Sequence, residues 1–547
     1  MADSNNLQVE NPMSAVVEQN IQINAVGGNS FSPGDRINIH IPASTGFINP
    51  AESYLQFNVI HSGKCMTMCN AMAGAHGYID QLFIKSLNTG ESLESIDSYN
   101  FLVSNLLWRN RHLKDHRNLQ DLALGCEDAD FSPNAYKLQN PQPFYDVDST
   151  AGTHTAQKVK MNLNLLSGVL GNLGRNTMCP VIALGGLNIQ LNLASVLQSS
   201  FPMASEIRDT AANPTRTAGD LQWADLLQAD DYTNTTGGQV TFSEFDFSSF
   251  ANDGNLDGLA HFPLVADQVI ELHYKIDGVG ATKETSVVTV TNVNDKVQLK
   301  VNHGIVLENL EALTEINIKG HYSGNSAPNW TISDVKMVLQ VIAPSKQQMQ
   351  VFNKGISEGK GKSWRYYSVT NYKSVVNSSQ RQASIRIPTI NTKSLALLSV
   401  PQHLDTIDTN RTYGYMENGE DGESEYQYLL KTRLTPDRRV PCARNDIEVK
   451  DGKYKLWQRE VEKCLNVGGV SVERLDSNAL GNYNESTPSP FCIGRAVGSL
   501  RATSMLANTE PTLNINYSSK SKDQLYHNFV FHTREANFSK SGLVVTY

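Results

Sequence analysis

Alternation of apolar and polar residues is the feature that most constrains how this chain folds. Residues 37–41, 55–59 and 187–193 place Ile, Leu, Phe or Val at every second position, with Asn, Gln or His between them. This period puts the apolar side chains on one face of a strand. Similar spacing recurs at residues 161–165, 299–301, 316–318, 513–517, 529–531 and 543–545. Many short strands separated by turn residues predict an all-β protein built from sandwiches or barrels.

Helical patterns are few and short. Residues from Ile96 to Trp108 carry apolar side chains at helical intervals, and residues 165–173 have room for one or two helical turns. A third helix is predicted over residues 346–355, where Gly355 supplies a stop signal. We expect these helices to be short connections between strands.

Composition restricts the partners of the chain. Of its 547 residues 18% are charged, and the net charge is -9. Since a nucleic-acid groove is usually basic, sequence-specific nucleic-acid binding is not expected. No apolar run reaches the ~18 residues that a membrane span requires, so no membrane-spanning segment is expected. The beginning of the chain also lacks the basic and apolar regions of a secretory signal.

The cysteines favour free thiols over disulfides or a zinc site. Their number is odd, and they are scattered at positions 65, 69, 126, 179, 442, 464 and 492. Cys65 and Cys69 are four residues apart, and no second close pair completes a zinc site. The cysteines are therefore expected to be reduced, as in a reducing compartment.

The sharpest boundary in the sequence lies near Pro344. It follows the apolar strand predicted at 335–342 and precedes a Gly-, Lys- and Ser-rich stretch at 355–362. The two sides echo each other, because Ile-x-Ile-Pro ends an early predicted strand at Pro42 and again at Pro388. We predict an arm at residues 1–27, a first unit at 28–345 and a second at 346–547. The first unit contains insertions at about 108–158 and 200–330, the latter with strands of its own.

Several of these segments, in this order, resemble the double jelly-roll major capsid proteins of Polinton/Maverick-like viruses, adintoviruses and virophages. These proteins are relatives of the adenovirus hexon and of the capsid proteins of large DNA viruses. The segments that carry the resemblance are 31–42 (FSPGDRINIHIP), 47–57 (FINPAESYLQF), 78–84 (YIDQLFI), 90–96 (GESLESI), 187–191 (LNIQL) and 335–344 (VKMVLQVIAP).

The resemblance implies an all-β fold of two consecutive eight-stranded jelly rolls, with short connecting helices and a large β-containing insertion in the first. It also implies a function without catalysis or a cofactor. Three copies would form a pseudo-hexagonal homotrimer, and trimers would tile an icosahedral shell around a DNA genome. The partners would be the chain itself, neighbouring trimers, and penton and minor or cement proteins. The location would be the virion, after synthesis and assembly inside the host cell.

The predicted arm contains a candidate inter-subunit contact. Val16, Val17, Ile21 and Ile23 are apolar residues in an otherwise polar segment. They are expected to order against a neighbouring subunit or a minor protein. A frayed tail is the alternative.

Other polar clusters are interpreted as surface features. His112 and His116 have metal-ligand spacing, but the surrounding Arg and Lys residues disfavour a cation. Residues 414–425 are rich in acids without the spacing of a calcium loop, which favours an exposed loop. Gly168, Gly171 and Gly174 are not followed by the Lys of a phosphate loop. A second basic cluster, expected on a surface loop or facing the genome or a neighbour, consists of Arg433, Arg438, Arg439 and Arg444. No catalytic, cofactor-binding or metal-binding residue is predicted.

Two alternatives remain open at this point. A single jelly roll with very long loops, as in parvovirus-like capsid proteins, predicts one strand set, whereas two rolls predict a second complete set after Pro344. A β-sandwich glycan-binding protein or polysaccharide-active enzyme is usually secreted and carries a carboxylate pair in an aromatic cleft. The many strands predicted from Trp364 onwards favour two rolls.

Overall fold

A computed structural model of the chain confirms the all-β prediction. It describes residues 17–62, 67–69, 74–110, 147–148, 153–154, 157–163, 166–171, 178–195, 198, 200–202, 207–209, 233–235, 239–246, 269–276, 283–294, 298–308, 313–320, 329–343, 350, 354, 362–388, 393–404, 421–442, 453–467, 491–497, 504–505, 510–539 and 542–546.

The first roll begins with eleven strands in chain order. They are β1 (Val17–Asn24), β2 (Ser30–Phe31), β3 (Arg36–Ile41), β4 (Phe47–Ser62), β5 (Thr67–Cys69), β6 (Ile79–Ser86), β7 (Ser92–Ile96), β8 (Val147–Asp148), β9 (Thr153–His154), β10 (Gln157–Met161) and β11 (Leu187–Leu193). Short 3-10 helices occupy Ala43–Thr45 and Gly74–Tyr78. The alternating residues make the core, since Ile189 of β11 lies opposite Ile39 and Ile84 and all three are buried.

A β-containing insertion follows β11, as predicted. Its strands are β12 (Ser200–Pro202), β13 (Ile207–Asp209), β14 (Thr233–Thr235), β15 (Gln239–Asp246), β16 (Val269–Ile276), β17 (Lys283–Asn294), β18 (Gln298–Glu308) and β19 (Leu313–Gly320). Seven of them form one antiparallel sheet in the order β13-β19-β16-β17-β18-β15-β14, and β12 pairs with β5. The chain then returns to the first roll through β20 (Asn329–Ala343).

The described residues of the second roll form ten strands. They are β21 (Lys362–Val376), β22 (Gln382–Arg386), β23 (Lys393–His403), β24 (Glu423–Leu430), β25 (Arg433–Pro441), β26 (Ile493–Ala496), β27 (Ser504–Met505), β28 (Thr512–Tyr517), β29 (Gln524–Ser539) and β30 (Gly542–Thr546). The strand β29 pairs with β21 over fifteen residue pairs, from Lys362–Phe538 to Val376–Gln524.

Both rolls have the same strand order. We letter the eight principal strands B to I in chain order: β1, β3, β4, β6, β7, β10, β11 and β20 in the first roll, and β21, β22, β23, β24, β25, β26, β28 and β29 in the second. Each roll then has one sheet in the order B-I-D-G and a facing sheet in the order C-H-E-F. This is the jelly-roll order. The alternative of a single jelly roll is wrong, because the chain after Pro344 contains a second complete set of the eight strands B to I.

In each roll, the described residues after strand F include a helix. Helix α1 (Tyr99–Asn110) lies close to the predicted helix at 96–108, and helix α2 (Lys453–Val467) was not predicted. Its buried residues nevertheless have helical spacing: Trp457, Val461, Cys464 and Leu465. Of the predicted helical segment at 165–173, the structure describes residues 166–171, where 166 and 168–171 are turn residues and none is helical. The helix predicted at 346–355 lies outside the described residues except at positions 350 and 354, which are helical.

The connections between strands are longer at one end of each roll than at the other. Because successive strands are antiparallel, the B–C, D–E, F–G and H–I connections leave from one end, and the C–D, E–F and G–H connections from the other. The three longest connections, at 97–156, 194–328 and 442–492, all belong to the first group. Each roll thus has an elaborated end and a plain end.

Residues 17–24, assigned from the sequence to the arm, form strand B of the first roll. The strand β1 pairs with β20 along its whole length, from Val17–Ala343 to Asn24–Lys336. Ile21 and Ile23 are partly buried and pack against the core. The segment is therefore part of the first sandwich. Val16 lies outside the described residues.

Candidate functional site

The contact between the two rolls contains a cluster of buried polar groups. Strand β7 of the first roll faces strands β21 and β29 of the second. The backbone carbonyl oxygen of Leu93 accepts hydrogen bonds from the Tyr366 hydroxyl at 2.6 Å and from the Arg534 guanidinium at 2.5 Å. All three residues are buried. One main-chain oxygen of the first roll thus ties two strands of the second.

Gly168 brings the G–H connection of the first roll against β21. A Cβ atom at this position would lie 1.6 Å from the backbone oxygen of Tyr367, far inside van der Waals contact. Only glycine allows the two backbones to approach so closely. The first glycine of the Gly168-x-x-Gly171-x-x-Gly174 run therefore has a packing role, and Gly174 lies outside the described residues.

Glu94 holds the same G–H connection in place. Its carboxylate accepts hydrogen bonds from the Ser167 hydroxyl at 2.5 Å and from the Gly168 backbone N–H at 3.0 Å. Burial raises the pKa of Glu94 to about 7, although these hydrogen bonds and the nearby Arg534 favour its charged form. Glu94 positions Gly168 and thereby sets the spacing between the rolls.

A second set of contacts lies near the end of β21. The Phe101 ring of α1 lies 4.3 Å from the His527 ring of β29, measured between centroids. Lys373 of β21 forms an ion pair with Asp97, the residue after β7, with an N–O distance of 2.9 Å. The amide of Gln81 also donates to Asp97 at 2.6 Å.

Two buried histidines line this face of the second roll. His527 lies 3.0 Å from the Gln402 amide oxygen and 3.1 Å from the Asn371 amide nitrogen, so its Nε2 donates and its Nδ1 accepts. The Nε2 of His532 is 3.0 Å from the Thr370 hydroxyl. Burial lowers the pKa of both histidines to about 3, so both are neutral at pH 7.

The positions of these contacts show that the rolls run in the same direction. Asp97 lies at the F–G end of the first roll, and Lys373 lies near the B–C end of the second; both are elaborated ends. Leu93 and Gly168 lie toward the plain end of the first roll, and Tyr366 and Tyr367 lie at the beginning of β21. The elaborated ends are therefore adjacent, and so are the plain ends.

The acidic segment at 414–425 differs from the expected exposed loop where the structure describes it. Glu423 is buried, and its carboxylate accepts hydrogen bonds from Tyr526, from Gln524 and from the Asp421 backbone N–H. Asp421 accepts from the backbone N–H groups of residues 521 and 522, both at 2.7 Å. These acids attach the H–I turn to strand E. The expectation of exposure is wrong for Glu423, since its neighbours in space come from a distant part of the sequence.

The structure describes only part of the remaining predicted polar clusters. Arg433, Arg438 and Arg439 are exposed on β25, where Arg433 pairs with Asp437 and Arg439 with Glu425. His112, His116 and Arg444 lie outside the described residues. The described free cysteines, all buried, are Cys179, Cys442, Cys464 and Cys492. Among the described residues, no group of three His, Cys, Asp or Glu side chains could hold a metal ion.

The residues at the roll-to-roll contact were not predicted from the sequence. One signal was present: residues 526–532 (YHNFVFH) break the alternation, and every residue in this run of β29 is buried. A strand covered on both faces shows such a run. The partners across the contact cannot be read from the sequence, because residues such as Leu93 and Arg534 are 441 positions apart.

Comparisons with solved structures find chains that align along nearly the whole length. The chain is similar to PBCV-1 VP54, with 10% identity, coverage of 98% of both chains and a TM-score of 0.48. It is also similar to the Faustovirus major capsid protein, with 7% identity, coverage of 96% and 91%, and a TM-score of 0.42. For the mavirus major capsid protein, the identity is 10%, the coverage 96% and 90%, and the TM-score 0.36. The assignment of two jelly rolls rests on the strand order described above.

The sequence comparisons give no match to any protein-family model or curated protein. Of the helices that the structure describes, none is long and apolar enough to span a membrane.

Proposed function

We propose that the chain is a viral major capsid protein, a structural subunit without catalytic activity. The observation that carries this proposal is the pair of rolls with identical strand order that stand side by side in the same direction. Three copies supply six such rolls, so a homotrimer acquires a nearly hexagonal outline. Trimers with this outline can tile the facets of an icosahedral shell around a DNA genome.

Two further features support this role. The long connections at one end give a trimer one elaborated and one plain face, which suits a shell with an outside and an inside. Low charge density, with 18% charged residues, limits repulsion between many packed copies. The proposed location is the virion, after assembly inside the host cell.

The proposed partners are neighbouring trimers, penton proteins and minor or cement proteins. Residues before β1 form the proposed arm, with Val16 and Val17 at its junction with the first roll. Deletion of residues 1–16 is expected to preserve trimers and impair shells, because β1 remains complete. Shells of normal yield and stability from this deletion would contradict the role of the arm.

The proposed function is tested by the oligomeric state and outline of the purified chain. Size-exclusion chromatography with light scattering is expected to give trimers, and negative-stain images are expected to show a hexagonal outline. A chain that stays monomeric at high concentration, or that has glycan-binding activity as a monomer, contradicts the proposal.

A further inference from the structure

The turn between β28 and β29 in the second roll contains a fully buried lysine side chain. Lys520 lies in this H–I turn, where the chain crosses from one sheet of the roll to the other. Its side chain is 0% exposed. Because a buried ammonium group loses its hydration, lysine is almost never fully buried unless it has polar partners. Lys520 must therefore be held by specific groups.

Oxygen atoms of a backbone carbonyl, an amide and a carboxylate lie around the Nζ atom of Lys520. Nζ donates hydrogen bonds to the Lys522 backbone oxygen and to the Oε1 atom of Gln524, both at 2.7 Å. The Asp421 carboxylate is farther away, with an N–O distance of 3.9 Å. The centroid of the Tyr517 ring lies 4.9 Å from Nζ. Lys520 therefore contacts a neutral amide more closely than it contacts the carboxylate of Asp421.

The amide of Gln524 is fixed between Lys520 and Glu423. Gln524 is buried, and its Nε2 atom donates a hydrogen bond to Oε1 of Glu423 at 2.8 Å. Since a lysine ammonium only donates hydrogen bonds, the amide presents its oxygen to Lys520 and its nitrogen to Glu423. A C=O bond is about 1.2 Å long, so Nζ lies no more than about 4 Å from the Cδ atom of Gln524. Reacting atoms in a near-attack arrangement are about 3–3.5 Å apart, so a small movement brings the amine to the amide carbon.

Glu423 lies where it can give a proton to the amide nitrogen. Its carboxyl group is held by the Tyr526 hydroxyl at 2.6 Å and by the Asp421 backbone N–H at 2.9 Å. Burial raises the pKa of Glu423, although these hydrogen bonds favour its charged form. Burial also lowers the pKa of Lys520, although nearby carboxylates favour its ammonium form. Both pKa shifts favour a neutral amine beside a carboxylic acid.

We propose that Lys520 and Gln524 become joined by an intramolecular isopeptide bond, with Glu423 as the catalytic residue that transfers the proton. The Nζ atom of Lys520, in its amine form, attacks Cδ of Gln524. Glu423, in its acid form, protonates Nε2, the bond between Cδ and Nε2 breaks, and ammonia leaves. The Glu423 carboxylate then takes up the proton that Nζ releases, which restores the acid. The product is a secondary amide between two side chains, and its formation requires no oxidant or cofactor.

Asp421 is the competing electrophile beside Lys520, and its environment keeps it charged. Burial raises its pKa, but hydrogen bonds from the backbone N–H groups of residues 522 and 521 offset this effect, and the pKa of Asp421 is lowered. A carboxylate is a poor electrophile because its negative charge repels the electron pair of the amine. The isopeptide bond therefore forms at Gln524, and it fixes the H–I crossing at the elaborated end of the second roll.

Peptide mapping of the full chain tests the bond directly. Trypsin cleaves after Lys522 but not after an amidated Lys520, so residues 502–522 should stay joined to residues 523–534 as one branched peptide. Its mass should be lower than the sum of the two peptides by one molecule of ammonia. Separate peptides with complete cleavage after Lys520 overturn the proposal. A linkage that has lost water places the bond at an acid and contradicts the choice of Gln524.

Variants of the full chain test the roles of the residues. Lys520→Arg and Glu423→Gln are each expected to abolish the branched peptide while the chain stays folded by circular dichroism. Lys522→Arg is the matched control, because the backbone oxygen of Lys522 accepts the hydrogen bond from Lys520, and this variant should retain the bond.

The wild-type peptide map decides whether the bond exists even if a variant does not fold. A branched peptide from folded Glu423→Gln contradicts the role of Glu423, and one from Lys520→Arg contradicts Lys520 as the nucleophile. Because the bond forms within one chain, these outcomes do not depend on the proposed trimer.

Discussion

Helices α1 and α2 occupy the same place after strand F in the two rolls, yet they pack against different partners. Phe101 of α1 contacts His527 of the other roll. Trp457 of α2 stacks on Phe491 and donates a hydrogen bond to the Cys492 carbonyl within its own roll. The same position in the fold therefore couples two rolls in one case and covers a single roll in the other. Duplicated architecture can thus acquire an internal contact without a change of strand order.

The largest effect is expected at Gly168, where the rolls approach most closely. Gly168→Ala places a Cβ atom 1.6 Å from the Tyr367 backbone oxygen, so the two backbones must separate. We expect a loss of about 4 kcal/mol or more in the free energy of unfolding, measured by urea denaturation. Gly28→Ala is the control, because its Cβ would have its nearest contacts at 3.9 Å. Equal midpoints for the two variants would show that the rolls do not meet at Gly168.

The two helices can be compared directly by truncating their buried aromatic residues. Phe101→Ala and Trp457→Ala are each expected to cost about 3–5 kcal/mol, as for other large core truncations. The two variants should differ in which strand exchanges its amide hydrogens faster. The first is expected to increase exchange in β29, and the second in β26. Increased exchange in β29 from both variants would contradict the division of roles between the helices.

The buried histidines and Glu94 at the roll-to-roll contact should make stability change with pH in opposite directions. The pKa of His527 is about 3 in the folded chain and about 6.5 when unfolded, so its contribution to stability is complete above pH 6.5 and falls with decreasing pH. The pKa of Glu94 is raised from 4.5 to about 7, so the folded chain loses stability as pH rises between these values. Each effect amounts to about 1.4 kcal/mol per pH unit.

Single substitutions separate these two effects. Relative to wild type, His527→Gln should reduce the loss of stability in acid, and Glu94→Gln should reduce the loss between pH 4.5 and 7. Urea midpoints from pH 4 to 8 measure both slopes. Slopes that change in the same direction in both variants would contradict the assigned protonation states.

The sequence pattern predicted the positions of the strands better than it predicted which faces of each strand are buried. Alternation identified β3 and β11 because their period depends on one covered face. It did not show that β7 and β21 are covered on both faces, because Glu94 and Ser368 are polar residues that are nevertheless buried, and Arg534 is buried where the first roll supplies its hydrogen-bond acceptor. The run from Tyr526 to His532 was the one local sign of double coverage.

The acidic segment shows the same limit. Glu423 resembles its neighbours Glu420 and Glu425 in the sequence, and its burial depends on Gln524 and Tyr526, about a hundred residues away. Helix α2 was missed for a different reason: its apolar stripe is interrupted by charged residues, including the buried Glu460, which pairs with Arg495. In each case the burial of a polar residue depends on a contact with a residue far away in the sequence, and a local pattern does not show such contacts.

The smallest predicted effect concerns the oxygen that links the two rolls. Tyr366→Phe removes one donor to the Leu93 carbonyl and is expected to cost about 1 kcal/mol, whereas Arg534→Met removes a charged donor and should cost about 2 kcal/mol. With both donors removed, the buried carbonyl loses the two side-chain donors that reach it from the second roll. The double variant should therefore lose more stability than the two single variants together, by about 1 kcal/mol in a double-mutant cycle. Strict additivity would mean that the two side chains act on the second roll independently and do not share one oxygen as the link between the rolls.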